Sequence, residues 1–188
     1  MSLPLVHSVY FYQRDEALIA RLHKIVSTGL ASGNSAVIVA TEEHRAQLAS
    51  SLSQSGSESC KLAEKRLHMF DANESLDHFM IDGHPSDKRF LEFVGNMLKA
   101  ARGAATNVPN GITVFGEMVA ILWSEGNKVG ALELERLWND VLKDHAFHLH
   151  CAYPRWILQD GSDNLLLKSI CDEHSSVLGH VEGLKLSA

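Results

Sequence analysis

Phosphate-cradling glycine loops are missing from this sequence: neither G-x-G-x-x-G nor G-x-x-x-x-G-K-[ST] occurs anywhere in it. The two usual backbone cradles for a nucleotide are therefore excluded. Cysteine is scarce, with Cys60, Cys151 and Cys171 an odd set lacking any C-x-x-C spacing. Such a set supplies no disulfide framework and fits a reducing compartment. No run of about eighteen apolar residues is present, so no membrane-spanning helix is expected. The opening residues lack a basic start followed by a long apolar run, so no secretion signal is expected, and the expected location is the cytoplasm. Positive charge is in deficit: the net charge is -6 with histidines neutral. That argues against direct contact with nucleic acid, which calls for a basic face.

What is present is an alternation of strand-like and helix-like segments in a chain of 188 residues, long enough for one domain with a sizeable core. Residues 6–12 are β-branched and aromatic and end in Gln13-Arg14-Asp15. Asp15 is placed to cap a helix over 16–28, whose apolar stripe is Leu18, Ile19, Leu22, Ile25 and Val26. Residues 35–40, SAVIVA, are apolar on both faces, the mark of a strand at the centre of a parallel sheet. Thr41 caps the following helix over 42–52. A third strand, 67–72, carries Asp71 near its end, and Asn73 is the expected cap of the helix through Met80. A loop is expected over 82–85, then a helix carrying Phe90, Phe93, Val94, Met97 and Leu98. Residues 112–140 form the unit around which the rest is organised: a strand over 112–115, a tight turn at Gly116, a helix from Glu117 to Trp123, and a second helix with Leu132, Leu134, Leu137, Trp138 and Val141. Residues 147–153 are a further strand that Pro154 stops. A helix over 163–171 follows, with a short edge strand suggested near Leu184–Leu186. The order implies a three-layer α/β fold with a mostly parallel central sheet.

Ligands in such folds sit beyond the carboxyl ends of the strands. A pocket is expected there, near Tyr12, Ala40, Asp71, Phe115 and Tyr153. Glu117, Tyr12, Asp71, Tyr153, Trp138 and His7 are its candidate ligand-binding residues. The carboxylates would accept hydrogen bonds, and the tyrosines would offer rings with hydroxyl handles. Acidic lining favours a neutral or cationic small molecule. The plainer alternative is that Glu117 holds its turn together and Asp71 caps the next helix. After the apolar strand, Thr41-Glu42-Glu43 puts two acids where a phosphate loop would stand in an NTPase, which argues against ATP hydrolysis. The eleven histidines include no H-E-x-x-H. His148 and His150 leave one strand on the same side and could chelate, but no metal and no cofactor is the expectation. Cys151 with His174 is a weighed nucleophile–base pair, set against a buried, inert thiol.

Several segments together resemble the MEDS domain, the sensory domain named for methanogens, methylotrophs and the dichloromethane-metabolism repressor. They are His7-Ser-Val-Tyr-Phe-Tyr12, Gly29-Leu-Ala-Ser-Gly33 before Ala36-Val-Ile-Val-Ala-Thr41, and Leu76-Asp-His-Phe-Met-Ile-Asp-Gly83. Phe115-Gly-Glu-Met-Val-Ala120, Leu122-Trp-Ser-Glu-Gly-Asn127, Leu134-Glu-Arg-Leu-Trp-Asn139 and Cys151-Ala-Tyr-Pro154 are stronger, and Ile170-Cys-Asp-Glu-His174 closes the set. The resemblance covers nearly the whole chain and implies one sensory domain over 1–188, with its core at about 6–177. It implies a RecA/KaiC-like fold that has lost its phosphate loop. It also implies a non-enzymatic role in bacterial or archaeal signal transduction or transcriptional regulation. Such domains sense small organic molecules and act with a histidine kinase or transcription regulator as partner, and a homodimer is plausible. The family often has a glycine ahead of its third strand, where Lys65 and Arg66 stand here. The alternatives are a KaiC-like nucleotide-binding ATPase and a protein–protein interaction module without a ligand.

Overall fold

A computed structural model describes residues 6–54, 64–106, 111–158 and 164–179. Its frame is a six-stranded sheet built from β1 (His7–Tyr12), β2 (Ser35–Ala40), β3 (Leu67–Asp71), β6 (Ile112–Gly116), β7 (His148–Pro154) and β8 (Ser176–Leu178). The strand order is β3-β2-β6-β7-β1-β8, and every pairing is parallel. Parallel neighbours need crossovers, and helices supply them. The helices are α1 (Asp15–Ala31), α2 (Glu42–Gln54), α3 (Ala72–Phe79), α4 (Asp87–Ala104), α5 (Met118–Ser124), α6 (Lys128–Asp144) and α7 (Asn164–Asp172).

The apolar strands make two cores because successive side chains point to opposite faces. From β2, Val37 and Val39 enter a large core with Val9, Phe11, Val114 and Tyr153, packed under α3 to α7. Ala36, Ile38 and Ala40 enter a smaller core under α1 and α2, with Tyr12, Phe115 and Ala152. All six residues of β2 are buried, as SAVIVA predicts. The strand is interior but lies one place off the centre, which β6 and β7 occupy. The three layers and the parallel sheet are thus as expected, and the strand order is consistent with a RecA-like architecture.

Local differences from the sequence reading have local causes. Asp15 is the first helical residue of α1, not its cap; Arg14 holds the cap position without a side-chain bond, and Asp15 meets the helix dipole instead. Asp71, not Asn73, caps α3, accepting from the backbone N–H of Asn73 at 2.9 Å and of Glu74 at 3.1 Å. Residues 82–85 are not a plain loop, and the helix before them ends at Phe79. β4 (Met80–Ile81) and β5 (His84–Pro85) pair as an antiparallel hairpin whose tip, Asp82-Gly83, takes φ values of 50° and 82°. Both tip residues sit in the left-handed region, which a two-residue Asp-Gly turn accommodates. The Asn127 side chain caps α6 at Gly130 N and donates to Gly83 O at 2.6 Å, fastening the hairpin to α6. Where the family often has glycine, Arg66 donates to Leu30 O and Asn34 O, both at 2.8 Å, and so ties the start of β3 to the α1–β2 turn. β8 is an edge strand that the sequence pattern did not reveal. The strand suggested near Leu184–Leu186 and the thiol of Cys60 lie outside the described residues.

Native-state hydrogen exchange tests this frame. The amides of Val37–Val39 and of Val114 are expected among the slowest, since both strands are flanked on each side and buried on each face. Fast exchange there would contradict the strand order.

Candidate functional site

Parallel strands bring their carboxyl ends to one edge of the sheet, and there the connections are short. β1 reaches α1 through Gln13 and Arg14, β2 reaches α2 through Thr41 alone, β3 runs directly into α3, and β6 reaches α5 through Glu117 alone. A phosphate loop of the G-x-x-x-x-G-K-[ST] type needs several residues between strand and helix. None of these connections supplies them.

Glu117 is the centre of this edge. Its backbone N–H donates to Val39 O at 3.0 Å, extending the ladder between β6 and β2 by one bond. It then takes the cap position of α5, but its side chain does not cap that helix. The carboxylate crosses to the start of α2: one oxygen accepts from Thr41 N at 3.0 Å and the other meets His44 Nδ1 at 2.5 Å. Glu117 is only 3% exposed. The far nitrogen of His44 lies 3.5 Å from the half-exposed carboxylate of Asp15, and Tyr12 stands edge-on to the imidazole at 6.3 Å. The hydrogen bond that His44 donates to Glu117 raises the pKa of His44 above its ordinary value; burial opposes this, and Asp15 adds to it. Burial first, then Glu117 and Asp15, pushes the Tyr12 phenol far up, so it keeps its proton. Arg45 extends the group, donating through Nε to Ala40 O at 3.2 Å and through its terminal nitrogen to Asp71 at 2.6 Å. The Asp71 carboxyl is held below its usual value, chiefly by the N–H of Glu74, with Arg45 and Asn73 adding and burial opposing.

The other candidates lie elsewhere. His7 and Tyr153 face the large core on the opposite side of the sheet and meet at Glu135 of α6, a carboxylate with 0% exposure. Tyr153 donates its hydroxyl to Glu135 Oε1 at 2.9 Å. Around Glu135 Oε2 stand His7 Nε2 at 3.3 Å, Cys151 Sγ at 3.4 Å and His174 Nε2 at 3.4 Å. Burial would raise the Glu135 pKa, but His174 and His7 outweigh it and hold the group ionised. Cys151 and His174 do come together, yet burial, then Glu135, pushes the thiol well above its ordinary value. That is the opposite of an activated nucleophile. Trp138 is packed between Phe90 and Phe147 in the core. His148 and His150 lie on the other face of β7, where His150 Nδ1 pairs with Ser8 Oγ at 2.6 Å. Apart from both groups, an open groove of about 590 Å³ runs between α3 and α4, with Phe70, His78, Phe93 and Met97 in its walls.

Two participants were not singled out in the sequence, His44 and Glu135. Each falls on the buried stripe of its helix, His44 four residues before Leu48 and Glu135 three before Trp138. A charged residue on an apolar stripe was the available signal.

The Glu117–His44 pair makes stability depend on pH. The folded pKa of His44 is raised above the unfolded value of 6.5. The pair's contribution is therefore full below about pH 6.5 and is lost as pH rises through the elevated value. Glu117→Gln is expected to lower unfolding stability by about 1.5–3 kcal/mol below that pH. It should also flatten the pH profile measured by urea unfolding. A variant with the wild-type profile would show that the pair is not formed.

Comparison with curated proteins and with solved structures gives no match. Among protein families, the model described as "MEthanogen/methylotroph, DcmR Sensory domain" matches residues 6–168. Among the described residues no helix is long and apolar enough to cross a membrane. The match spans most of the chain and agrees with the parallel α/β frame and the missing phosphate loop, so the chain belongs to the MEDS family and is a non-enzymatic sensory domain of signal transduction.

Proposed function

We propose that this domain senses a small neutral or cationic organic molecule at the carboxyl ends of β1, β2, β3 and β6. Glu117, Tyr12 and Asp71 are its contacts, and a histidine kinase or transcription regulator receives the signal. The observation that carries this reading is the Tyr12–His44–Glu117–Asp15 group. It sets a buried carboxylate, a protonated phenol and a half-exposed carboxylate side by side at the edge where α/β folds receive ligands. The Tyr12 hydroxyl has no hydrogen-bond partner among the described residues, so it is available to one. Two carboxylates stand against the single imidazole of His44, a balance that disfavours phosphates and carboxylates and favours amines and alcohols. The short strand–helix connections leave no observation in favour of the ATPase alternative.

A ligand that takes an oxygen of Glu117 competes with Thr41 N and His44, and thereby loosens the start of α2. That gives binding a structural consequence to transmit.

A thermal-shift screen of the full chain against C1 compounds, short-chain alcohols and amines tests the reading, followed by calorimetry on any stabilising compound. Tyr12→Phe should leave the melting temperature nearly unchanged and weaken the ligand. Glu117→Gln should weaken it about tenfold or more, as loss of a charged hydrogen bond implies. MgATP at millimolar concentration should give no heat. Equal affinity in both variants, or a chain that none of these compounds stabilises, would move the ligand site elsewhere.

A further inference from the structure

The second polar group is more specific than its burial requires. We propose that His7, Glu135, Cys151 and His174 form a zinc site joining β1, α6, β7 and the turn after α7.

The donors are two imidazole nitrogens, a carboxylate oxygen and the sulfur of Cys151, whose thiol proton is released to solvent as the metal binds; this four-ligand set suits zinc and not magnesium or calcium. All four donor atoms lie within 4.8 Å of one another. His7 Nε2 to Glu135 Oε2 is 3.3 Å, Cys151 Sγ to Glu135 Oε2 is 3.4 Å, His174 Nε2 to Glu135 Oε2 is 3.4 Å, and Cys151 Sγ to His7 Nε2 is 3.5 Å. Zinc bonds of about 2.0–2.3 Å in a tetrahedron give ligand-to-ligand edges of about 3.3–3.6 Å. Four of the six edges match before any ion is added, and the other two, from His174 to His7 and to Cys151, lie within 4.8 Å.

The outer hydrogen bonds also turn the Nε2 atoms inward. The Asn139 amide nitrogen donates to Glu173 O and Oε2, both at 2.9 Å, so its oxygen faces His7 Nδ1 at 2.8 Å. That oxygen can only accept, so Nδ1 carries a hydrogen and Nε2 is the ring nitrogen left to face Glu135 and to serve as the metal ligand. Ile170 O fixes His174 in the same way, accepting from Nδ1 at 2.6 Å. The Nε2 of His174, on a side chain with 0% exposure, is aimed into the group; it makes no aligned hydrogen bond, and Glu135 Oε2 lies 3.4 Å away. An ion between the two gives that nitrogen a directed partner. Tyr153 occupies the outer oxygen of Glu135, leaving Oε2 for the metal. These outer partners have the form that orients metal ligands. Zinc with one thiolate and one carboxylate is also electrically neutral, which suits a site shielded from water. Because the site is closed, with all four positions taken by protein, it holds structure together and leaves no open coordination position for a substrate.

The test uses the full chain expressed without a histidine tag in zinc-containing medium. Elemental analysis should find about one zinc per chain. Cys151→Ser and His174→Ala should lose it, while His148→Ala and His150→Ala should keep it. After refolding with cobalt(II), the wild type should show a thiolate-to-cobalt charge-transfer band and tetrahedral d–d bands, and Cys151→Ser should lack the first. Asn139→Ala, which positions His7 without touching the ion, should weaken zinc about 10–100-fold. Glu135→Gln can fail to fold, so the single-atom change Cys151→Ser decides. Zinc content unchanged in Cys151→Ser would overturn the proposal, and so would a metal-free wild type that zinc does not stabilise.

Discussion

The carboxylate of Glu117 is the tie on which the carboxyl edge of the sheet depends. It has left water almost completely, so each of its oxygens must find a donor within the protein. The donors it finds belong to the neighbouring strand's helix: the N–H of Thr41 and the ring of His44. One side chain thereby joins the end of β6 to the start of α2 and fixes where two crossovers turn. Gly116 immediately precedes Glu117 and still pairs with both Val39 and Cys151, so the tie is anchored in the middle of the sheet. A sensory domain needs a part of its fold that a ligand can compete for. A polar link bridging two elements is better suited to that than apolar packing, because its energy resides in a few exchangeable bonds.

Glu135 answers the same constraint on the opposite face, with a different result. It gathers His7 from β1, Cys151 and Tyr153 from β7, and His174 from the turn leading into β8. The backbone reinforces the grouping, since Ser175 N donates to His7 O at 2.8 Å next to His174. The two buried carboxylates divide the labour. One sits at an edge beside a half-exposed acid and can respond to solvent. The other is sealed and holds α6 and the last strand against the centre of the sheet.

The frame was legible because its signals were apolar and periodic. SAVIVA could only be an interior strand, and the stripes of α1, α4 and α6 follow helical spacing. Short or backbone-driven features were not legible. β8 is three residues long and is defined by pairing with β1. The hairpin at Met80–Pro85 has two residues on each side of Asp82-Gly83, too few for an alternating pattern to show. Of the candidate site, the strand-end positions of Tyr12, Asp71 and Glu117 followed from the parallel topology. The sequence could not show that Tyr153 and His7 turn to the other face, because their company is set by Glu135. The burial of Glu135 depends on partners from distant parts of the chain, which its own helix does not reveal.

Backbone amide chemical-shift mapping of the isotope-labelled chain, titrated with a compound that stabilises it, addresses the sensory site most directly. Binding at the strand ends would centre the changes on Thr41, His44 and Glu117, with smaller ones at Tyr12 and Asp71. Changes centred on Phe70, His78 and Phe93, with Thr41 and Glu117 undisturbed, would place the ligand in the groove between α3 and α4 and contradict the role given to Glu117.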